Sequence, residues 1–465
     1  MKPGTLLRIL LLAFLVLDTG YSFLQHYHQP LDGDIAWNLL PDPDVAPILE
    51  DPLGVGTWRD GRTYANPNRF FCHWSFRAYL LHVPRWLQAV ADPVTSVYLA
   101  AALAKVGTQL LLLLLLTRLV CGTWRAGATD FLVGAALLVP FFQANGFHDD
   151  IGIVDQSVTY TFFYALPAAA LLMYVLPFTD RYLHGRMRPV GRGWYLTWAL
   201  LAPVVCLSGP LNPGAVGVVT LLLAFRSLRG SFPPPAYLLA AGWLAAWAAY
   251  SLYVGTYNTL TLTNARPLPE LFARLPEGVW RLLTTKLAWP LLLAGLGINY
   301  ALLRNVAGSA RLRGAYAWVA GFALLYLLLL PLGGYRDYRP LVVRYDTALP
   351  FTLAVLCLYA AGTRHLVHHL ALPRWRSGRR AYLLLPLALG LAFTYADGYA
   401  PKKDACEREA LRTLAQATVP VVTLPPCPVL AWRPFDRPED SGDNVELLRR
   451  WRVVQHPLRY VNATR

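Results

Sequence analysis

Seven consecutive leucines, Leu110 to Leu116, sit inside a longer apolar stretch running from Val94 to Val120. A helix that is apolar on every side cannot face water; it lies inside a large protein or in lipid. A second stretch, Ala315 to Leu332, carries no charge along its whole length. Only 15% of the 465 residues are charged and 55% are hydrophobic, with a mean hydropathy of +0.37. Soluble chains carry about 25% charged residues. These features exclude a soluble enzyme, a disordered chain and a secreted disulfide scaffold. The predicted class is an all-α polytopic membrane protein.

Membrane helices need roughly 20 mostly apolar residues. Eleven segments are predicted to cross: Leu6–Phe23, Val94–Val120, Phe131–Phe147, Val158–Phe178, Trp194–Pro210, Ala215–Phe225 and Tyr237–Gly255, then Leu287–Leu303, Ala315–Leu332, Thr347–Ala361 and Ala381–Tyr395. The sixth is short and flanked by proline, so it is either a partial crossing or half of a broken helix. Net charge is +15, which in a soluble protein would suggest nucleic acid. Here the cations gather in alternate loops, from Lys2 and Arg8 through Arg118, Arg186 and Arg313 to Arg380. The intervening loops hold the acids, from Asp32 to Asp92 and then Asp149, Asp150 and Asp155. By the positive-inside rule the N-terminus is inside, and an odd number of spans puts the C-terminus outside. Cleavage of the first segment as a signal peptide is disfavoured, because no small-residue cleavage pattern follows it.

Residues 1–395 are expected to form the membrane domain, with a large first outside loop at 24–93. In that loop, Val45–Asp51 and Phe70–Gln88 are expected to be amphipathic pieces on the membrane surface. A further interfacial helix is expected at Leu268–Leu275. Residues 396–465 are expected to form a small α/β outside appendage: helix Ala405–Gln416, strand Val419–Leu424, helix Asn444–Val453. Cys406 and Cys427 lie in this appendage on the oxidising side; they either pair or remain free thiols.

The string Leu31-Asp-Gly-Asp-Ile-Ala-Trp-Asn-Leu-Leu-Pro41 follows the first span. Extended backbone would point Asp32 and Asp34 to one face, with Gly33 allowing close approach of a ligand. The plain alternative is ordinary Asp-Gly turn chemistry in a solvated loop. A cytosolic D-x-D site for nucleotide sugars does not suit an outside loop. Late in the chain, Arg336, Arg339 and Arg344 occupy an outside loop, where the positive-inside rule disfavours them. They suit a lipid-linked phosphate; the alternative is headgroup anchoring or pairing with Asp337 and Asp346.

An acidic motif at the end of the first span, before a long outside loop, resembles the GT-C superfamily of polytopic glycosyltransferases. Oligosaccharyltransferase, the protein mannosyltransferases and aminoarabinose transferase have this organisation. In oligosaccharyltransferase an acid-x-Asp motif is followed by Asn four residues on, as Asp32-Gly33-Asp34 is followed here by Asn38. The resemblance implies Asp34 as catalytic carboxylate, with Asp32 and Asn38 supporting it. It also implies a second acidic motif between the third and fourth spans, matched by Asp149, Asp150 and Asp155. The tail lacks the W-W-D signature, so a peptide acceptor is not implied. The expected reaction moves a sugar from a polyprenyl-phosphate carrier to a glycan, lipid or protein acceptor outside a bacterial inner membrane. Partners would be membrane lipids and the lipid-linked sugar, and nucleic acid is not expected. Divalent metal, Mg²⁺ or Mn²⁺, would sit on Asp34 with Asp149 or Asp150.

Three other readings stay open: a surface-polysaccharide polymerase or ligase centred on the Arg336 loop, a transporter or flippase, and a non-catalytic scaffold. A transporter would use the intramembrane charges Asp18 and Lys105, which are otherwise expected to pair with each other. His26, His28, His73 and His148 are expected to be structural rather than metal ligands. His365, His368 and His369 are expected at the surface.

Overall fold

The computed structural model describes residues 3–40, 43, 45–186, 190–228, 234–262, 267–334, 339–369 and 376–463, without the side chains of 3 and 376–380. Within them, helices dominate, as backbone polar groups in lipid require. Six helices are long and apolar enough to cross a membrane: Gly4–Tyr27, Pro93–Cys121, Val158–Tyr182, Pro235–Gly255, Ala310–Gly333 and Tyr345–His369. Leu268–Thr284 and Ala288–Leu303 pass the same test as a pair bent by 79°. Shorter apolar helices occupy Thr129–Phe141, Asn212–Leu228 and Ala381–Ala396, and another spans Arg192–Cys206. The chain is therefore a multi-pass helical membrane protein.

Local sequence explains where these helices begin and bend. Asp92 caps Pro93–Cys121 by accepting from Thr95 N at 3.1 Å, and Gly122 ends it in the left-handed conformation at φ 70°. The interfacial helix expected at Leu268–Leu275 is instead two pieces, Leu268–Ala273 and Leu275–Thr284, leading into the bend. In Val158–Tyr182 one π-helical turn covers Thr161–Ala165. Pro167 lies two residues beyond it and cannot donate to the Phe163 carbonyl, which loosens the ladder there.

Ion pairs join elements at both ends of the bundle. At one end Arg118 holds Asp180 through two bonds of 3.0 and 2.6 Å, and Arg186 reaches the same carboxylate. Arg364 and His368 share Asp130 there, at 3.0 and 2.7 Å. The first loop and the tail meet at the other end.

There the short helix Ile35–Leu39 packs on the tail helix Gly442–Arg450. Leu31, Ile35 and Leu39 share one buried cluster with Val97, Phe162, Leu411 and Tyr460. Trp451, fully buried, donates its indole N–H to the Leu80 carbonyl at 2.7 Å. The tail thus completes its core with the first loop and the membrane helices. Its two strands, β1 (Val421–Leu424) and β2 (Arg459–Asn462), pair in parallel with Val421 opposite Arg459. The expected strand starts two residues later than predicted, and β2 was not foreseen. Cys406 and Cys427 form a disulfide with Cα atoms 6.3 Å apart.

Two further expectations are resolved. Of the two conformations open to the acidic string, residues 32–34 take the turn, which leads into helix Ile35–Leu39, so the two carboxylates reach different partners. Lys105 does not pair with Asp18. It donates to the Gln156 carbonyl and lies in the field of Asp32 and Asp155.

Candidate functional site

Asp32 is almost wholly buried at the foot of the first loop. Its Oδ1 accepts the Thr159 hydroxyl at 2.6 Å, and its Oδ2 accepts Thr159 N at 3.2 Å. Its Oδ1 also accepts Asp34 N at 3.2 Å, closing the turn. Burial pushes the Asp32 carboxyl above its ordinary range, against the pull of the Thr159 bonds. Asp32 therefore ties the first loop to the start of helix Val158–Tyr182.

Asp34 points outward from the same turn and is half-buried. Its Oδ1 accepts the Trp432 indole N–H at 2.9 Å, and the Tyr160 hydroxyl interacts with the same carboxylate. Arg339 donates to that Tyr160 hydroxyl, and its guanidinium carbon lies 4.8 Å from the ring centroid. One phenol therefore links a carboxylate to a guanidinium. Asn38 supports the turn by donating to the Asp34 carbonyl at 2.7 Å.

The late arginines fall into distinct roles. Arg344 forks on buried Asp346 with bonds of 3.0 and 2.8 Å. Arg339 lies 3.7 Å from the same carboxylate while reaching Tyr160. Arg336 lies outside the described residues, as does Asp337.

The second acidic motif splits the same way. Asp155 is buried; its Oδ1 accepts Ser157 N at 2.7 Å and its Oδ2 accepts the Tyr345 hydroxyl at 2.8 Å. Burial raises its pKa. Asp149 is held well below the usual carboxylate range by His148, 3.6 Å away, and by the ion pair to Lys286 at 2.8 Å. Burial pushes Asp150 up to about 6, and its Oδ2 makes no hydrogen bond among the described residues. Lys286 sits in the break between the two bent helices, so Asp149 fastens the bend.

Asp34 is held by the Trp432 indole and Asp149 by Lys286. Among the described residues no group of three His, Cys, Asp or Glu side chains could hold a metal ion. His28 pairs with Asp404 at 3.3 Å, and His73 packs edge-on against Phe163.

Sequence reading missed Tyr160, Trp432 and Glu407. Tyr160 and Trp432 look like ordinary interfacial aromatics, and no local pattern joins them to Asp34. Glu407, next to Cys406, is fully buried; it accepts Leu31 N at 2.8 Å, Leu430 N at 3.0 Å and the Tyr98 hydroxyl at 2.7 Å. One carboxylate thus clamps the backbone beside Asp32 to the backbone beside Trp432. No family model, curated protein or solved structure matches the chain.

Proposed function

We propose that this chain is a membrane glycosyltransferase of the GT-C kind. It would move a sugar from a polyprenyl-phosphate donor to an acceptor on the outer side of a bacterial inner membrane. The observation that carries the reading is the Tyr160 phenol, which takes a hydrogen bond from Arg339 and lies in the field of Asp34 where the first loop meets a membrane helix. The acceptor hydroxyl loses its proton to Asp34 as its oxygen attacks the anomeric carbon. The bond from that carbon to the phosphate oxygen breaks, and the polyprenyl phosphate leaves with the electron pair. Its negative charge falls to Arg339, which needs no proton to neutralise it.

The same reading takes all eleven apolar segments as crossings, with the N-terminus inside and the tail outside. The gathering of Arg118, Arg186 and Arg364 at one end of the bundle supports that orientation. Reporter fusions at Arg186 and at the C-terminus should report opposite sides.

The deciding test supplies the protein, in lipid nanodiscs, with polyprenyl-phosphate-linked hexose, deoxyhexose and pentose together with an oligosaccharide acceptor. Release of polyprenyl phosphate matched by extended acceptor is expected. If every donor stays intact while liposomes show the lipid moving between leaflets, the flippase reading replaces this one.

A further inference from the structure

The Trp432 side chain is the least explained large group near Asp34. It is 58% exposed, although the backbone just before it is clamped. A Cβ on Gly33 would stand 2.5 Å from Trp432 N, so the first loop and this residue touch backbone to backbone. Two residues earlier, Leu430 takes the left-handed conformation at φ 49° while almost fully buried. A β- or γ-branched residue adopts that conformation only when its surroundings impose it. Here Glu407 fixes the Leu430 N–H, and Asn444 donates to the Leu430 carbonyl at 3.0 Å. A strained, clamped backbone therefore presents an exposed indole.

That indole does not act as a headgroup anchor, because its N–H is committed to Asp34. Its ring stacks on Tyr160 with the planes 25° apart and centroids 6.1 Å apart. An apolar ring face thus lies open beside a carboxylate and a phenol. Carbohydrates match this combination. A pyranose carries a face of axial C–H bonds that settles on an aromatic π-face, and edge hydroxyls that donate to carboxylates. A lipid chain would satisfy the ring but not Asp34, and a free phosphate would be repelled by Asp34.

We propose that Trp432, with Tyr160, is a pyranose-stacking subsite that seats the acceptor sugar against Asp34, so that the acceptor is a glycan. This rests on the glycosyltransferase reading for the word acceptor, but sugar binding itself is measured separately.

The test uses the full chain in nanodiscs with gluco-, galacto- and mannotriose, each followed by saturation-transfer NMR. Wild type should transfer saturation to the ring C–H protons of at least one trisaccharide. Trp432→Ala should weaken that binding by about tenfold or more, while Trp432→Phe, which keeps a ring but no N–H, should retain much of it. If Trp432→Ala lowers the unfolding temperature, the Phe variant becomes the arbiter: binding lost as fully in Phe as in Ala overturns the stacking role. Absence of binding to all three sugars, or binding indifferent to Trp432, overturns the proposal even if donor cleavage is observed. Trp432-dependent binding with no donor ever cleaved keeps the sugar subsite and removes the transferase reading.

Discussion

The indole N–H of Trp432 reaches the carboxylate of Asp34 at 2.9 Å across 398 positions of sequence. It joins the C-terminal tail of the chain to its first loop. The consequence is that neither segment alone defines the site: the tail supplies the ring, the first loop the carboxylate, and helix Val158–Tyr182 the phenol between them.

The contact depends on Gly33. An added methyl would meet the Trp432 and Ala431 backbones at 2.5 to 2.8 Å, and backbone cannot swing away as a flexible side chain can. Gly33→Ala should cost about 1–3 kcal/mol in stability and reduce turnover, because the tail must lift from the turn. Calorimetry with an activity assay checks both; an unchanged unfolding temperature would mean the two backbones are not packed as described.

The tail should also respond to its disulfide and to pH. Cys406→Ser with Cys427→Ser opens a loop of sequence separation 21, which should cost about 3 kcal/mol through the unfolded state. Protease sensitivity of the tail under reducing conditions reads this directly, with unchanged resistance as the contrary result.

Burial pushes Glu407 up to about 7 from an ordinary 4.5. A raised pKa means the folded state favours the protonated carboxyl. Its stabilisation is full below about 4.5 and is lost as pH rises through about 7. Tyr98 and Asp404 face Glu407, and Asp404 raises its pKa further while paired with Arg408. Glu407→Gln should flatten the pH dependence of unfolding between those limits; the same slope in both proteins would contradict the assignment.

The arginines should separate by effect. Arg339→Gln should weaken polyprenyl-phosphate binding by roughly 1.5–3 kcal/mol, at least tenfold, with the fold retained. Arg344→Gln instead strips buried Asp346 of its forked partner and should destabilise the protein by about 3 kcal/mol. Equal losses of binding with no change in stability would return both residues to a shared ligand role.

The membrane helices were legible because their signal is local. Val94–Val120 was read where Pro93–Cys121 lies, since an unbroken apolar run needs no distant partner to declare itself. The sequence left the Asp32–Asp34 segment open between an extended strand and an Asp-Gly turn, because the contact from Thr159 that holds Asp32 comes from far along the chain. Lys105 was given the wrong partner for a related reason: apolar periodicity locates a helix but not the loop that folds over its end. Tyr160, Trp432 and Glu407 had no readable signal. Each acts through contacts between segments that hydropathy alone cannot bring together.

The central claim is that Asp34 takes the acceptor's proton. Asp34→Asn keeps the side chain's size and its ability to accept the Trp432 N–H, so the unfolding temperature should hardly move. Asp60→Asn is the control, since Asp60 lies in the same loop but is exposed and pairs with its neighbour Arg59. The measurement is single-turnover transfer from a polyprenyl-phosphate hexose at saturating donor. The expected result is a fall of roughly 10²-fold or more for Asp34→Asn with Asp60→Asn near wild type. Equal transfer by wild type and Asp34→Asn would contradict it.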